Sequence, residues 1–136
     1  MCIRDRTLED LKTKGVEVQL IDLEDNGLPK ISSLEKLLGA DDSMKLVSLM
    51  HINNEIGNIL DLKLIGNLTK AYGALFHSDA VQGIGHFNYD LKTLPVDFLS
   101  ASGHKFHGPK GVGFAYINNE TIINSKNLTT ILILFF

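Results

Sequence analysis

Lys45-Leu46-Val47-Ser48-Leu49-Met50 is a short, mostly apolar run of the kind that forms a strand covered on both faces. Behind it, residues 61–72 place Leu62, Ile65, Leu68 and Ala71 on one helical stripe, Gly73 supplies a stop, and residues 74–78 return to strand character. Strand, helix, strand with short connections predicts parallel strands joined by a crossover helix. Upstream, residues 16–22 alternate at period two before turning apolar, and Glu24-Asp25-Asn26-Gly27 supplies turn residues. Ser32 with Glu35 then reads as a capping box that opens a short helix through Leu38. Downstream, Phe98-Leu99-Ser100-Ala101 and Gly113-Phe114-Ala115-Tyr116-Ile117 read as further strands. The expected class is α/β, a mostly parallel sheet with flanking helices.

The chain has 136 residues and 44% hydrophobic content, enough for one packed core. A formal net charge of -3 comes from interspersed acids and bases, so no basic stretch points to nucleic acid. Met1-Cys2-Ile3-Arg4-Asp5-Arg6 runs into Thr7-Leu8-Glu9-Asp10-Leu11 without the apolar segment of a secretory signal, and the expectation is a cytoplasmic protein. Cys2 is the single cysteine, which excludes an internal disulfide framework and a multi-cysteine metal site. The apolar end Ile131-Leu132-Ile133-Leu134-Phe135-Phe136 is far shorter than the roughly 20 residues of a membrane span and reads as an aggregation hazard.

Ligands of open parallel sheets gather beyond the carboxyl ends of the strands. Polar clusters fall at three such ends: residues 51–57, residues 77–82, and residues 102–111. Lys105 lies just past a strand, among glycines and behind Ser102 and His104, where an amine suits Schiff-base chemistry. A solvated lysine in a glycine-rich loop fits that segment, taken alone, at least as well. Asp79 shares a strand face with His77 and can pair with a protonated ring nitrogen, while Gln82, one turn on, can donate to a ring oxygen. A helix-capping acid with an exposed amide is the plainer reading of the same two residues. Asn53-Asn54-Glu55 is equally a turn, and His86 and His107 read as surface residues. The histidines lack the one-turn helical spacing of metalloprotease zinc ligands, and no metal is expected.

Together, Ser102-Gly103-His104-Lys105 with Gly108-Pro109-Lys110-Gly111, and His77-Ser78-Asp79-Ala80-Val81-Gln82 before it, resemble the cofactor-lysine region of class V aminotransferase-fold enzymes. Leu49-Met50-His51-Ile52-Asn53-Asn54-Glu55-Ile56-Gly57 narrows the resemblance to cysteine desulfurases of the nitrogen-fixation and iron-sulfur-cluster branch. It covers residues 8–117 and implies part of the large domain of a fold-type I pyridoxal-phosphate enzyme, with residues 1–136 forming a single partial domain. It further implies that Lys105 binds pyridoxal 5'-phosphate covalently and shuttles protons, and that Asp79 pairs with the pyridinium nitrogen. Gln82 would then contact the ring oxygen, Ser102 and His104 the phosphate, and Asn54 the substrate carboxylate or ring hydroxyl; His77 would support Asp79.

The implied reaction takes L-cysteine to L-alanine and leaves a persulfide on an enzyme cysteine, in a homodimer that passes sulfur to an acceptor or iron-sulfur scaffold protein. Neither that cysteine nor the family's phosphate loop, ring-stacking histidine and carboxylate-binding arginine matches a residue of this sequence. Both ends depart from the pattern: residues 1–6 look unlike the family's helix, and residues 118–136 drift away from it. The expectation is a fragment inactive alone; the alternatives are a selenocysteine lyase or other class V enzyme, and a non-catalytic remnant.

Overall fold

The computed structural model describes residues 3–118 and 130–133. Its elements are α1 (Ile3–Thr13), β1 (Glu17–Leu20), α2 (Ile31–Leu38), β2 (Lys45–Met50), α3 (Leu62–Ala71), β3 (Leu75–Asp79), β4 (Phe98–Ser102), a 3-10 helix (Gly103–Phe106), β5 (Gly113–Ile117) and β6 (Thr130–Ile133). They build one six-stranded sheet in the order β1-β6-β2-β3-β4-β5. The β4–β5 pair is antiparallel and the other pairs are parallel, which is the α/β class the sequence predicts.

Strand alternation divides the sheet into two unlike faces. Val47 and Leu49, Phe76, and Leu99 point one way and are buried, and Leu34 and Leu38 of α2 and Leu62 and Ile65 of α3 join Val47, Leu49 and Phe76 in one core cluster. On the other face Leu46 packs with Leu8 and Leu11 of α1, beside Val16 and Val18. Toward the carboxyl ends of β2–β4 that second face carries Ser48, His77, Asp79, Ser100 and Ser102, all half-buried. Lys45 opens β2 buried, and its ammonium is held by the Asp41 carboxylate and carbonyl, each at 2.7 Å. That ammonium also keeps the Asp41 carboxyl well below its usual range.

The α3 stripe is rotated from the expected one. Leu62, Ile65, Gly66 and Thr69 are buried, whereas Ala71 is exposed. Gly66 explains the rotation: a Cβ there would lie 2.7 Å from Pro95 Cγ, so the helix approaches the chain before β4 most closely along its glycine side. Asp61 caps the helix by accepting from the N–H groups of Lys63 and Leu64 at 3.0 and 2.9 Å. Gly73 ends it at φ 66°, as expected.

Two other expectations are corrected. The capping box at Ser32 and Glu35 does not form: α2 begins at Ile31 after Lys30, which gives no side-chain cap. Two bonds to Asp22 set that start, from the Lys30 N–H to its carbonyl at 2.8 Å and from its own N–H to Ser33 Oγ at 3.2 Å. Ser32 therefore falls inside the first turn. Ile3–Arg6, whose sequence is unlike the family's helix, are the opening of α1. Ile131–Ile133, read as an aggregation hazard, belong to β6, whose backbone pairs with β1 on one side and β2 on the other. A continuous apolar run is what a strand inside a parallel sheet carries. Residues 119–129 and 134–136, which hold the rest of the divergent end, lie outside the described residues.

Candidate active site

The parallel register brings the ends of β2, β3 and β4 side by side. Met50 and Ser100 flank Asp79. Asp79 is the last residue of β3 rather than the first beyond it. Its Oδ1 accepts the Val81 N–H at 2.9 Å, and among the described residues Oδ2 takes no hydrogen bond. The chain then turns tightly, with the N–H groups of Gly83 and Ile84 on the Ala80 carbonyl at 2.9 and 3.0 Å, and Gln82 lies half-buried within this turn. The Ala80 N–H donates to the Ser100 carbonyl at 2.9 Å, tying the turn to β4.

Beneath Asp79 on the same face, His77 spans three strands. Its Nδ1 meets Ser48 Oγ at 2.8 Å and its Nε2 meets Ser100 Oγ at 3.3 Å. Burial pushes the imidazole below its ordinary pKa, and the Asp79 carboxylate opposes that shift. The sequence reading placed His77 behind Asp79 but missed both serines; the signal is their place in register with His77 and Asp79 on neighbouring strands.

After β4, Ser102 Oγ and His104 Nδ1 lie 2.8 Å apart, so the two residues assigned to one phosphate are already joined. Lys105 sits in the 3-10 helix with an exposed side chain and an amine that has no partner among the described residues. His107 ends that helix at φ 65°, a left-handed position, and the Gly108 N–H closes on the Gly103 carbonyl at 2.8 Å. Gly85 lets the turn after β3 meet this segment, because a Cβ there would lie 2.6 Å from Phe106 Cβ. His86 and His107 are both exposed.

The turn after β2 is ordered by Asn53, not Asn54. Buried Asn53 accepts the N–H groups of Glu55 and Ile56 on Oδ1 at 2.8 and 2.9 Å, and its buried Nδ2 has no partner among the described residues. Asn54 is exposed and donates to Glu55 Oε1 at 2.6 Å. Asp79, Gln82, Ser102 and His104 are thus gathered at adjoining strand ends. Lys105 and Asn54 lie beyond the ends of β4 and β2, and both are exposed.

This donor set fits a phosphorylated pyridine aldehyde. Asp79 offers a half-buried carboxylate whose Oδ2 takes no hydrogen bond among the described residues, which suits a protonated ring nitrogen. Ser102 and His104 offer polar hydrogens beside the buried Gly103, and Lys105 offers a free amine two residues on. Among the described residues no group of three or more His, Cys, Asp or Glu side chains is disposed to hold a metal ion, and no helix is long and apolar enough to cross a membrane.

The carboxylate of Asp79, the amine of Lys105 and the Ser102–His104 pair thus lie on adjoining strand ends of an open mixed sheet. The aminotransferase class-V family model matches residues 7–130, and the chain belongs to that family. Among characterised relatives it is 44% identical to the cysteine desulfurase IscS of Edwardsiella ictaluri over 114 residues, covering 84% of this chain and 28% of that protein. IscS of Shewanella denitrificans is 44% identical over 121 residues, covering 89% and 30%. Of solved structures, the apo cysteine desulfurase of Thermococcus onnurineus superposes with a TM-score of 0.73 at 36% identity, covering 83% of this chain and 28% of that one. A NifS-like protein superposes at 0.76 with 41% identity, covering 84% and 31%. The chain therefore spans less than a third of the length of these relatives.

Proposed function

We propose that this chain is the cofactor-lysine portion, a single partial domain, of a pyridoxal-phosphate-dependent cysteine desulfurase. The observation that carries the reading is the gathering of Asp79, Gln82, Ser102 and His104 at the ends of β3 and β4, with Lys105 at the same edge. Relatives named cysteine desulfurase support the reaction class, and one superposed structure, SspA at TM-score 0.76 and 31% identity, is described as a complex with cysteine. In the whole protein L-cysteine would give L-alanine and a persulfide on an enzyme cysteine that matches no residue of this sequence. A homodimer and a sulfur-accepting or iron-sulfur scaffold partner complete the proposal, and its setting is a cytoplasm in which no disulfide is needed.

When bound, the cofactor supplies an electron-withdrawing ring that makes the substrate's α carbon acidic. The rest falls to this chain. Lys105 Nζ would hold the cofactor and carry the substrate's α proton. Asp79 Oδ2 would pair with the protonated ring nitrogen, and Gln82 would donate to the ring oxygen. Ser102 and His104 would bind the phosphate, and Asn54 would contact the substrate carboxylate or the ring hydroxyl. His77, neutral and bonded to Ser48 and Ser100, holds the floor under Asp79 without adding a competing charge.

Titrating the full chain with pyridoxal phosphate tests the reading. A visible absorption band that Lys105→Ala abolishes, and that Asp79→Asn weakens, is the expected result. A band of equal strength in Lys105→Ala would overturn the assignment. Uptake should be weak beside that of a whole relative, since under a third of such a protein's length is present.

A further inference from the structure

Outside these residues the molecule builds one unusual polar contact. His51 Nδ1 and Tyr89 Oη are hydrogen-bonded across 38 residues of chain, over the backbone of Gly83. A Cβ at position 83 would lie 2.7 Å from His51 Nδ1 and would overlap Tyr89 Oη, so the bond occupies the space a side chain would take. Gly83 is buried and adjoins Gln82.

His51 is itself fixed on every side. Its N–H donates to the Asp79 carbonyl at 2.9 Å, and its carbonyl accepts from the Leu60 N–H at 2.7 Å. Its ring lies edge-on to Phe87 and Tyr89, with centroids 5.4 and 5.3 Å away. The segment it faces is held mainly by bonds to itself. The N–H groups of Gly83 and Ile84 use the Ala80 carbonyl, and those of His86 and Phe87 use the Gly83 carbonyl. Tyr89 returns this self-bonded turn to the sheet at His51.

We propose that the His51–Tyr89 hydrogen bond across Gly83 is a latch that positions the turn bearing Asp79 and Gln82, which makes His51 and Tyr89 positioning residues for the cofactor. The inference rests on the cofactor reading above and deepens it. Burial suits both partners to the task, pushing the imidazole down and the phenol up to about 12, so both stay neutral near pH 7. With the imidazole in its Nε2–H form, the tyrosine hydroxyl donates to Nδ1. Such a bond fixes geometry without placing a charge beside the Asp79 carboxylate.

Two measurements on the full chain test the latch. The first is hydrogen exchange at the amides of Gly83, Ile84, His86 and Phe87, which needs no cofactor. Tyr89→Phe and His51→Leu should raise exchange there about five-fold, the equivalent of one net hydrogen bond, and leave β2 and β3 unchanged. His51→Asn puts an acceptor oxygen where Nδ1 was and should restore protection. The second is pyridoxal phosphate titration, in which affinity and the pH midpoint of the visible band should shift in the two disrupting variants and recover in His51→Asn. Unchanged exchange in Tyr89→Phe would overturn the latch. Raised exchange with unaltered affinity and midpoint would reduce it to packing and overturn the positioning role. A wild-type chain that gives no Lys105-dependent band would overturn the cofactor reading and the positioning claim with it, while the exchange data would still decide whether the bond holds the turn.

Discussion

The two faces of β2, β3 and β4 are made from the same three runs of sequence, with alternate side chains going to each, yet they do opposite work. On one face Val47, Leu49, Phe76 and Leu99 are buried, under a layer to which Leu34, Leu38, Leu62 and Ile65 belong. On the other, Ser48, His77, Asp79, Ser100 and Ser102 form a half-buried polar field whose hydrogen bonds run from strand to strand. The lesson is that stability and chemistry are separated by one residue of register. Within β3, a substitution at Phe76 should act on folding, and one at His77 or Asp79 on the site.

The strongest way to break that division is at Phe76, which is fully buried and makes the centre of the apolar face. Phe76→Ala leaves a cavity that its neighbours only partly close, and such changes cost about 3–5 kcal/mol. Urea unfolding should show that loss, or no folded baseline at all. Ser100→Ala, in the next strand but on the polar face, should stay within about 1 kcal/mol because it removes one long hydrogen bond to His77. Equal losses in the two would end the distinction.

Ser78 is the exception within the apolar face and gives a smaller effect of opposite sign. It is fully buried between Leu49 and Leu99 in register, and its hydroxyl has no hydrogen-bond partner among the described residues. An unsatisfied buried hydroxyl is costly, so Ser78→Ala should raise stability by about 1 kcal/mol. The visible band with pyridoxal phosphate should be unchanged, since the side chain faces away from Asp79. A loss of stability in Ser78→Ala would show that the hydroxyl has a use on the apolar side.

How much of this was legible in the sequence follows from the range of the interactions. The strand-like runs at residues 45–50 and 113–117 and the polar clusters at strand ends are local patterns, and β2 and β5 appeared where expected. The start of α2 misled because Ser32 and Glu35 match a local motif, while the bonds that set the boundary reach back to Asp22. The α3 stripe was rotated by a contact of Gly66 with Pro95, again distant in sequence. The apolar residues 131–133 gave the right composition for an interior strand, but nothing local says that β6 enters between β1 and β2. His51 and Tyr89 were likewise invisible as a pair, for each reads as an ordinary side chain until the fold closes their sequence separation of 38.

The smallest expected effect, and the one that tests both faces together, is the pH dependence of stability. His77 on the polar face and His51 at the end of β2 are both pushed below the ordinary histidine value of 6.5 by burial. As pH falls through 6.5 the unfolded chain takes up protons that the folded chain refuses, so unfolding becomes easier. The stabilising contribution is complete above 6.5 and is lost as pH drops through the lower folded-state values. The urea midpoint should therefore be lower at about pH 5.5 than at about pH 7.5. His77→Asn should remove part of that difference and His51→Asn another part, since neither asparagine titrates. The Asp79 carboxylate favours the protonated form of His77, so Asp79→Asn should enlarge the difference rather than reduce it. A midpoint that is the same at both pH values, or a difference indifferent to all three substitutions, would mean that neither imidazole is shielded from water as the sheet packs it.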